Sequence, residues 1–301
     1  MRKKKRYFSR ATCFILCAVF ALLFLLPTVL TITNSFMTQS EITASYGQVF
    51  ENANDGKSYI SKTINLKFIP DKVSFTQYFT VLLKSPDYLI KFWNSVILTV
   101  PIVLAQLMVA SVAAYGFTRW RGKVRDTIFF AYVILMLMPY QVTLVPNYLV
   151  SDFLGLLNTR WAIILPGAFA PFSVFLLTKS MRRIPASLIE SAKLDGAGEM
   201  RTFFQVSLPL LAPGIVTTAL FSIVATWNNY FLPLIMLKDS NWYPLTIGLN
   251  QWKDQASTAG GQAIQNLVIT GSLVTIIPLV VAFLCLQKYW QSGLSAGAVK
   301  E

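Results

Sequence analysis

The chain has 301 residues, of which 54% are hydrophobic and only 13% charged, with 26 Lys and Arg against 13 Asp and Glu and no histidine. A charged share about half that of an ordinary soluble domain makes lipid the solvent for much of the surface, and the missing histidine excludes the usual general base, His-containing triads and most zinc sites. The net charge of +13 would suit nucleic acid, but no basic stripe interleaved with aromatics occurs in a polar segment, so nucleic acid is excluded as a partner too.

In chain order, six uncharged stretches follow one another: Ala11–Ser40, Phe92–Thr118, Thr127–Ser151, Trp161–Thr178, Thr202–Leu237 and Gln255–Gln287. Each has room for about 20 helical residues, enough to cross roughly 30 Å of hydrocarbon. They predict an all-α integral membrane protein with six transmembrane helices. The first stretch follows Lys3–Arg6, but it is too long for a secretory signal and lacks a small-residue cleavage site, so it reads as a retained anchor. Residues 34–91 then form an outside segment with a turn cluster at Asn52, Asn54, Asp55 and Gly56 and breakers at Pro70 and Pro86, expected to hold short helices on the outer surface. The chain thus divides into an anchor with outside segment (1–91), a five-span core (92–287) and a C-terminal tail (288–301). Two connections in the core are long, a cytoplasmic one over 181–209 and an outside one over 238–262, and these are where function is expected.

Charge orients the spans. With the N-terminus in the cytoplasm, the six basic residues of Arg2–Arg10, four of Arg119–Arg125, five of Lys179–Arg201, Lys288 and Lys300 all fall inside, and the inner face nets +12 against +1 outside. That positive-inside bias needs an even number of spans, so both termini are cytoplasmic and the chain is a multi-pass membrane protein. Prolines recur within the stretches, at Pro27, Pro101, Pro139, Pro146, Pro166, Pro171, Pro233 and Pro278, and read either as tolerated kinks or as breaks around a translocation path. Cys13, Cys17 and Cys285 lie inside spans; the first two sit one turn apart on one helix, which excludes a bridge between them.

The chemistry that is missing narrows the function. No Gly-x-x-x-x-Gly-Lys-Ser/Thr loop cradles a phosphate, so the chain is expected to bind no cofactor and to leave ATP hydrolysis to another protein. No Asp or Glu falls inside a stretch, which weighs against a proton- or sodium-coupled carrier. A secondary carrier or channel acting alone, and a membrane scaffold without transport, remain the rivals at this point.

The cytoplasmic connection carries the most information. It reads Arg182-Arg183-Ile184-Pro185, then Glu190-Ser191-Ala192, Asp195-Gly196-Ala197, Phe203, Leu208-Pro209 and Pro213. Pro185 opens a short helix, Gly196 or Gly198 breaks it, and a second helix leads into the fifth stretch. This segment resembles the cytoplasmic Glu-Ala-Ala loop of binding-protein-dependent ABC importer permeases, departing only by Ser191 for Ala. The resemblance implies the type I ABC importer permease fold. It also implies that Glu190, Ser191, Ala192, Asp195, Gly196 and Ala197 form a coupling helix docked on an ATPase subunit.

The tail Gln287–Lys300, rich in glycine, is similar to that of maltose-type permeases, which implies an ATPase contact at Gly293, Leu294 and Gly297. Trp227-Asn228-Asn229-Tyr230 and Tyr243-Pro244-Leu245-Thr246-Ile247-Gly248-Leu249 resemble the same carbohydrate branch. Aromatic faces stack on sugar rings and amides bond hydroxyls, so Trp227, Asn228, Asn229 and Tyr230 are candidates for a sugar path, with interfacial anchoring as the plainer reading. The outside connection combines Trp242, Tyr243 and Trp252 with Asn241, Asn250 and Gln251, and Gly248, Gly260 and Gly261 are expected to let it change shape. The resemblance makes this the part that reaches an external sugar-binding protein. It further implies a second homologous permease, two ATP-binding cassette subunits that use ATP and Mg, an extracytoplasmic binding protein and the lipid bilayer as partners, moving a sugar or oligosaccharide inward by alternating access. An ABC permease for a non-sugar cargo is the nearest alternative.

Overall fold

The computed structural model describes residues 2–54, 66–120, 122–257 and 264–298, and all regular structure among them is helical. In lipid only a helix or a closed barrel pairs every backbone N–H and C=O internally, so apolar composition and helicity go together. The helices are α1 (Arg2–Asn34), α2 (Gln39–Asn54), α3 (Thr76–Phe79), α4 (Pro86–Arg119), α5 (Lys123–Leu137), α6 (Tyr140–Phe153), α7 (Trp161–Gly167) and α8 (Pro171–Met181). They continue with α9 (Ala186–Leu194), α10 (Glu199–Thr202), α11 (Leu208–Leu210), α12 (Ala212–Trp227), α13 (Phe231–Met236), α14 (Leu245–Ser257) and α15 (Gln265–Ala298).

Among the described residues, four stretches are long and apolar enough to cross a membrane: Thr12–Asn34, Pro86–Arg119, Trp161–Met181 and Gln265–Lys288. Two bent pairs bring the number up to six if each counts as one span, α5 with α6 at 105° and Glu199–Leu210 with α12 at 72°. Proline explains both bends. Met138 is extended because it precedes Pro139, which removes it from the helical region. Around Leu211, Pro213 has no N–H to give and its ring crowds the carbonyl of Pro209. Pro171 likewise starts α8 after an extended Ala170. By contrast Pro27, Pro101, Pro146 and Pro278 lie inside continuous helices, so only some of the expected break points are breaks. The three cysteines are free and exposed on helix surfaces.

The chain forms two compact units, one of Met1–Tyr88 with Leu249–Ile276 and the other of Leu89–Gly248 with Ile277–Glu301. In the first, residues 34–91 do contain short helices, α2 and α3, although α2 runs on through Asn52 and Asn54 where a turn was expected; Asp55 and Gly56 lie outside the described residues. Its polar centre is buried Gln77, whose amide donates to the carbonyls of Ser35 at 2.5 Å and Ser74 at 2.7 Å. Tyr88 donates to the Gly271 carbonyl at 2.8 Å and stacks on Trp252 at 5.5 Å.

The second unit has two apolar cores. One gathers Leu98, Ile102, Leu144, Ile163, Leu232 and Met236; the other gathers Ala110, Ala114, Val174, Leu177, Met181 and Leu211. Within it α8 and α12 approach closely at Gly214, where a Cβ would lie 2.6 Å from the Ser180 Cβ, and buried Ser173 and Ser222 face each other at 3.3 Å.

Candidate functional site

The segment between α8 and α12 is built to project. Pro185 caps α9 and fixes an extended entry, and the helix ends in a Schellman turn: the Gly196 N–H donates to the Lys193 carbonyl at 3.0 Å and the Ala197 N–H to the Ala192 carbonyl at 2.9 Å. That turn requires the left-handed conformation, and Gly196 has φ +78°. Among the described residues, no atom beyond its immediate chain neighbours lies within 4 Å of the position a Gly196 Cβ would take, so the glycine is needed here for its backbone and leaves open space above it. Gly198 is extended and caps α10, its carbonyl accepting from the Thr202 N–H and hydroxyl at 2.9 and 3.0 Å.

Of the six candidate docking residues, Glu190, Ser191, Asp195 and Gly196 are exposed and Ala192 and Ala197 half-buried, all on one short turn-linked segment. Two apolar side chains stand beside them in the open, Leu194 at 89% exposure and Met200 at 71%. Ile189, buried, is the foot of α9, which packs on the wide turn Phe203–Ser207.

A clamp missing from the sequence reading ties this segment to the end of α4. Glu199 accepts from the Tyr115 hydroxyl at 2.6 Å, pairs with Lys193 at 2.7 Å and lies 3.5 Å from the Arg119 guanidinium. The Lys193 ammonium above all, then the Tyr115 hydroxyl and Arg119, hold its carboxyl down at about 2. Nothing local announced its tie to α4, because Tyr115 and Arg119 are 84 and 80 positions away in sequence.

At the far end of α12 the candidate sugar path is only partly gathered. Trp227 and Asn229 line a small pocket with Ser95, Thr99 and Thr226, whereas exposed Asn228 turns back to the Val224 carbonyl at 2.9 Å and Tyr230 rests edge-on against Phe231. Trp227 is buried and meets Phe92 edge to face at 5.8 Å. The pocket measures about 10 Å³, room for about one water molecule and far too small for a sugar.

The outside connection differs from expectation. Instead of a pliable loop it contains a short turn at Ser240–Trp242 and the helix α14, and Trp242, Tyr243 and Trp252 are half-buried. Buried Asn94 donates to the Asn241 carbonyl at 2.6 Å and the Tyr243 carbonyl at 3.2 Å, while Arg160 reaches Asn94 and lies 4.8 Å over the Trp242 ring. The Ser95 hydroxyl accepts from the Leu245 N–H at 2.8 Å. Gly248, expected as a hinge, is a packing glycine: a Cβ there would sit 2.3 Å from the Lys91 Cδ. Gly260 and Gly261 lie outside the described residues. At the C-terminus α15 continues through Gly293, Leu294 and Gly297 to Ala298.

Residues 106–295 match the family described as "Binding-protein-dependent transport system inner membrane component". The chain is similar to the arabinooligosaccharides transport system permease protein AraQ of Halalkalibacterium halodurans, at 30% identity over 79% of this chain and 83% of that protein. It is also similar to the melibiose/raffinose/stachyose import permease protein MelC of Bacillus subtilis, at 35% identity over 69% of this chain and 75% of that one. In fold it resembles a chain of a bacterial ABC transporter involved in the import of the acidic polysaccharide alginate, with a TM-score of 0.75, 23% identity, and coverage of 95% of this chain and 97% of the other.

Proposed function

Because the chain belongs to the family of binding-protein-dependent transport system inner membrane components, we propose that its cargo is a sugar or short oligosaccharide. Membership makes it a non-catalytic permease subunit of an ABC system in the inner membrane, and implies an ATPase and a binding protein as partners. The sugar assignment draws on the arabinooligosaccharide and melibiose/raffinose/stachyose functions named for its relatives. The finer composition belongs to the same proposal: a second homologous permease beside this chain, two ATP-binding cassette subunits that hold ATP and Mg, and an extracytoplasmic sugar-binding protein.

The observation that carries the coupling role is the exposed α9–α10 segment. Its Glu190, Ser191, Ala192, Asp195, Gly196 and Ala197 present a knob whose apolar flanks, Leu194 and Met200, are largely exposed. Movement of an ATPase surface against this knob has three ways into the spans: through Ile189 to the turn at Phe203–Ser207, through the Glu199 clamp to α4, and through the close α8–α12 contact. At the other end of α12, Trp227 and Asn229 with Ser95 and Thr99 supply one ring face and several hydroxyl partners, a combination suited to a sugar once the spans part. Gly293, Leu294 and Gly297 are assigned a supporting ATPase contact, and Trp242, Tyr243 and Trp252 a place on the binding-protein side. The test is uptake by vesicles containing the assembled transporter, across a panel of mono- and oligosaccharides. ATP-dependent uptake of one member, requiring the binding protein, is the expected result; uptake driven by an ion gradient without ATP would overturn the proposal.

A further inference from the structure

We propose that the inner end of α8 and α5 binds the phosphate of an anionic phospholipid, held by Lys179 and Arg182 over a stacked pair of phenylalanine rings. Phe129 of α5 and Phe175 of α8 stack with centroids 6.3 Å apart and planes 17° from parallel. The Arg182 guanidinium carbon lies 5.1 Å over Phe129 and the Lys179 ammonium 5.5 Å over Phe175. Being three positions apart at the end of one helix, the two cations share a face. The rings fix where the cations stand but supply no countercharge.

Charge is unbalanced at this place. Lys123, Lys179, Arg182 and Arg183 are all exposed, and among the described residues none of them has an ion pair. Their basic neighbours are matched: Arg125 with Asp126, Arg119 and Lys193 with Glu199. α5 also exposes apolar side chains, Val124 at 75% and Phe130 at 64%, and both helices belong to stretches apolar enough to cross a membrane. A ligand that satisfies both parts carries a negative phosphate and acyl chains. A zwitterionic headgroup would bring its own cation against the cluster, so the anionic class is favoured. Because Arg182 stands three residues before Pro185, a headgroup there also anchors the root of the α9 segment.

The experiment is native mass spectrometry of the purified full chain, titrated separately with dioleoyl phosphatidylglycerol and dioleoyl phosphatidylcholine. The wild-type chain should retain phosphatidylglycerol preferentially. The double variant K179Q/R182Q should lose roughly fivefold in phosphatidylglycerol affinity for each cation removed, with phosphatidylcholine unchanged. K179R/R182K keeps the charges and should keep the preference, and K253Q, remote from the rings in sequence, should behave as wild type. A double glutamine variant within twofold of wild type would overturn the site. So would an equal fall for both lipids, displacement of the lipid by millimolar inorganic phosphate, or unchanged lipid retention with loss of a co-purifying ATPase, which would make the surface a protein contact.

Discussion

Two segments of the second unit, one before α12 and one after α13, are held in opposite ways. The inner one, 182–211, rests on a few buried feet such as Ile189 and Phe203, but its projecting part, 190–200, is tied only at the surface: an exposed carboxylate, Glu199, gathers Lys193, Tyr115 and Arg119, and the apolar Leu194 and Met200 are left in the open. The outer one, 238–248, is secured from beneath, by buried Asn94 and Ser95 bonding its backbone and by Arg160 over Trp242. Surface ion pairs contribute little and break readily, whereas a buried amide that loses its partners is costly. The inner segment is therefore fixed in shape yet free to receive a partner, and the outer segment is part of the fold.

Gly214→Leu should have the largest effect, because its side chain would enter the space of the Ser180 Cβ, 2.6 Å from even a Cβ, and force α8 and α12 apart beneath the inner segment. Overpacking of this kind costs about 1–3 kcal/mol, and thermal unfolding in detergent should show it; an unchanged midpoint would mean that the two helices are not so closely joined. Asn94→Leu comes next. It leaves the Asn241 and Tyr243 carbonyls without their donor at about 1–3 kcal/mol, and hydrogen exchange should quicken over 241–245 and stay unchanged over 186–197. Equal quickening of both segments would erase the contrast.

Gly196→Ala should cost about 1 kcal/mol through its positive φ, and Gly196→Asn, which tolerates that conformation better, should regain most of the stability. If transport also needs an ATPase surface close to this backbone, the asparagine variant will be stable yet transport poorly; full transport by it would reduce Gly196 to a turn residue. Glu199→Gln is the mildest change, at most about 1 kcal/mol for so exposed a cluster. Since the folded carboxyl titrates at about 2 rather than 4.5, its stabilising share is complete above about pH 4.5 and fades as pH falls toward 2. Wild-type and glutamine variants should thus converge in stability only in acid; convergence at neutral pH would show that the clamp contributes nothing.

The inner segment was legible in the sequence because its shape is set by local punctuation. Pro185 and Gly196 each impose a backbone angle that no distant contact is needed to explain. The clamp on it was not legible, since Glu199, Tyr115 and Arg119 meet only after α4 has packed beside the segment. The outer segment misled for a related reason: Trp242, Tyr243 and Gly248 have the composition of a pliable binding loop, and only the burial of Asn94 and Lys91 beneath them shows that they pack instead. Spans were readable from missing charge, but proline alone did not tell a break from a kink. Pro139 and Pro101 look alike in sequence; one stands at a 105° bend and the other inside α4.

The most direct test of the coupling role places a photo-crosslinking residue at Leu194, the most exposed apolar side chain of the inner segment, in the assembled transporter. Irradiation should join the chain to its ATPase subunit. A crosslink to the extracytoplasmic binding protein instead, or none to the ATPase under conditions that support sugar uptake, would contradict the account.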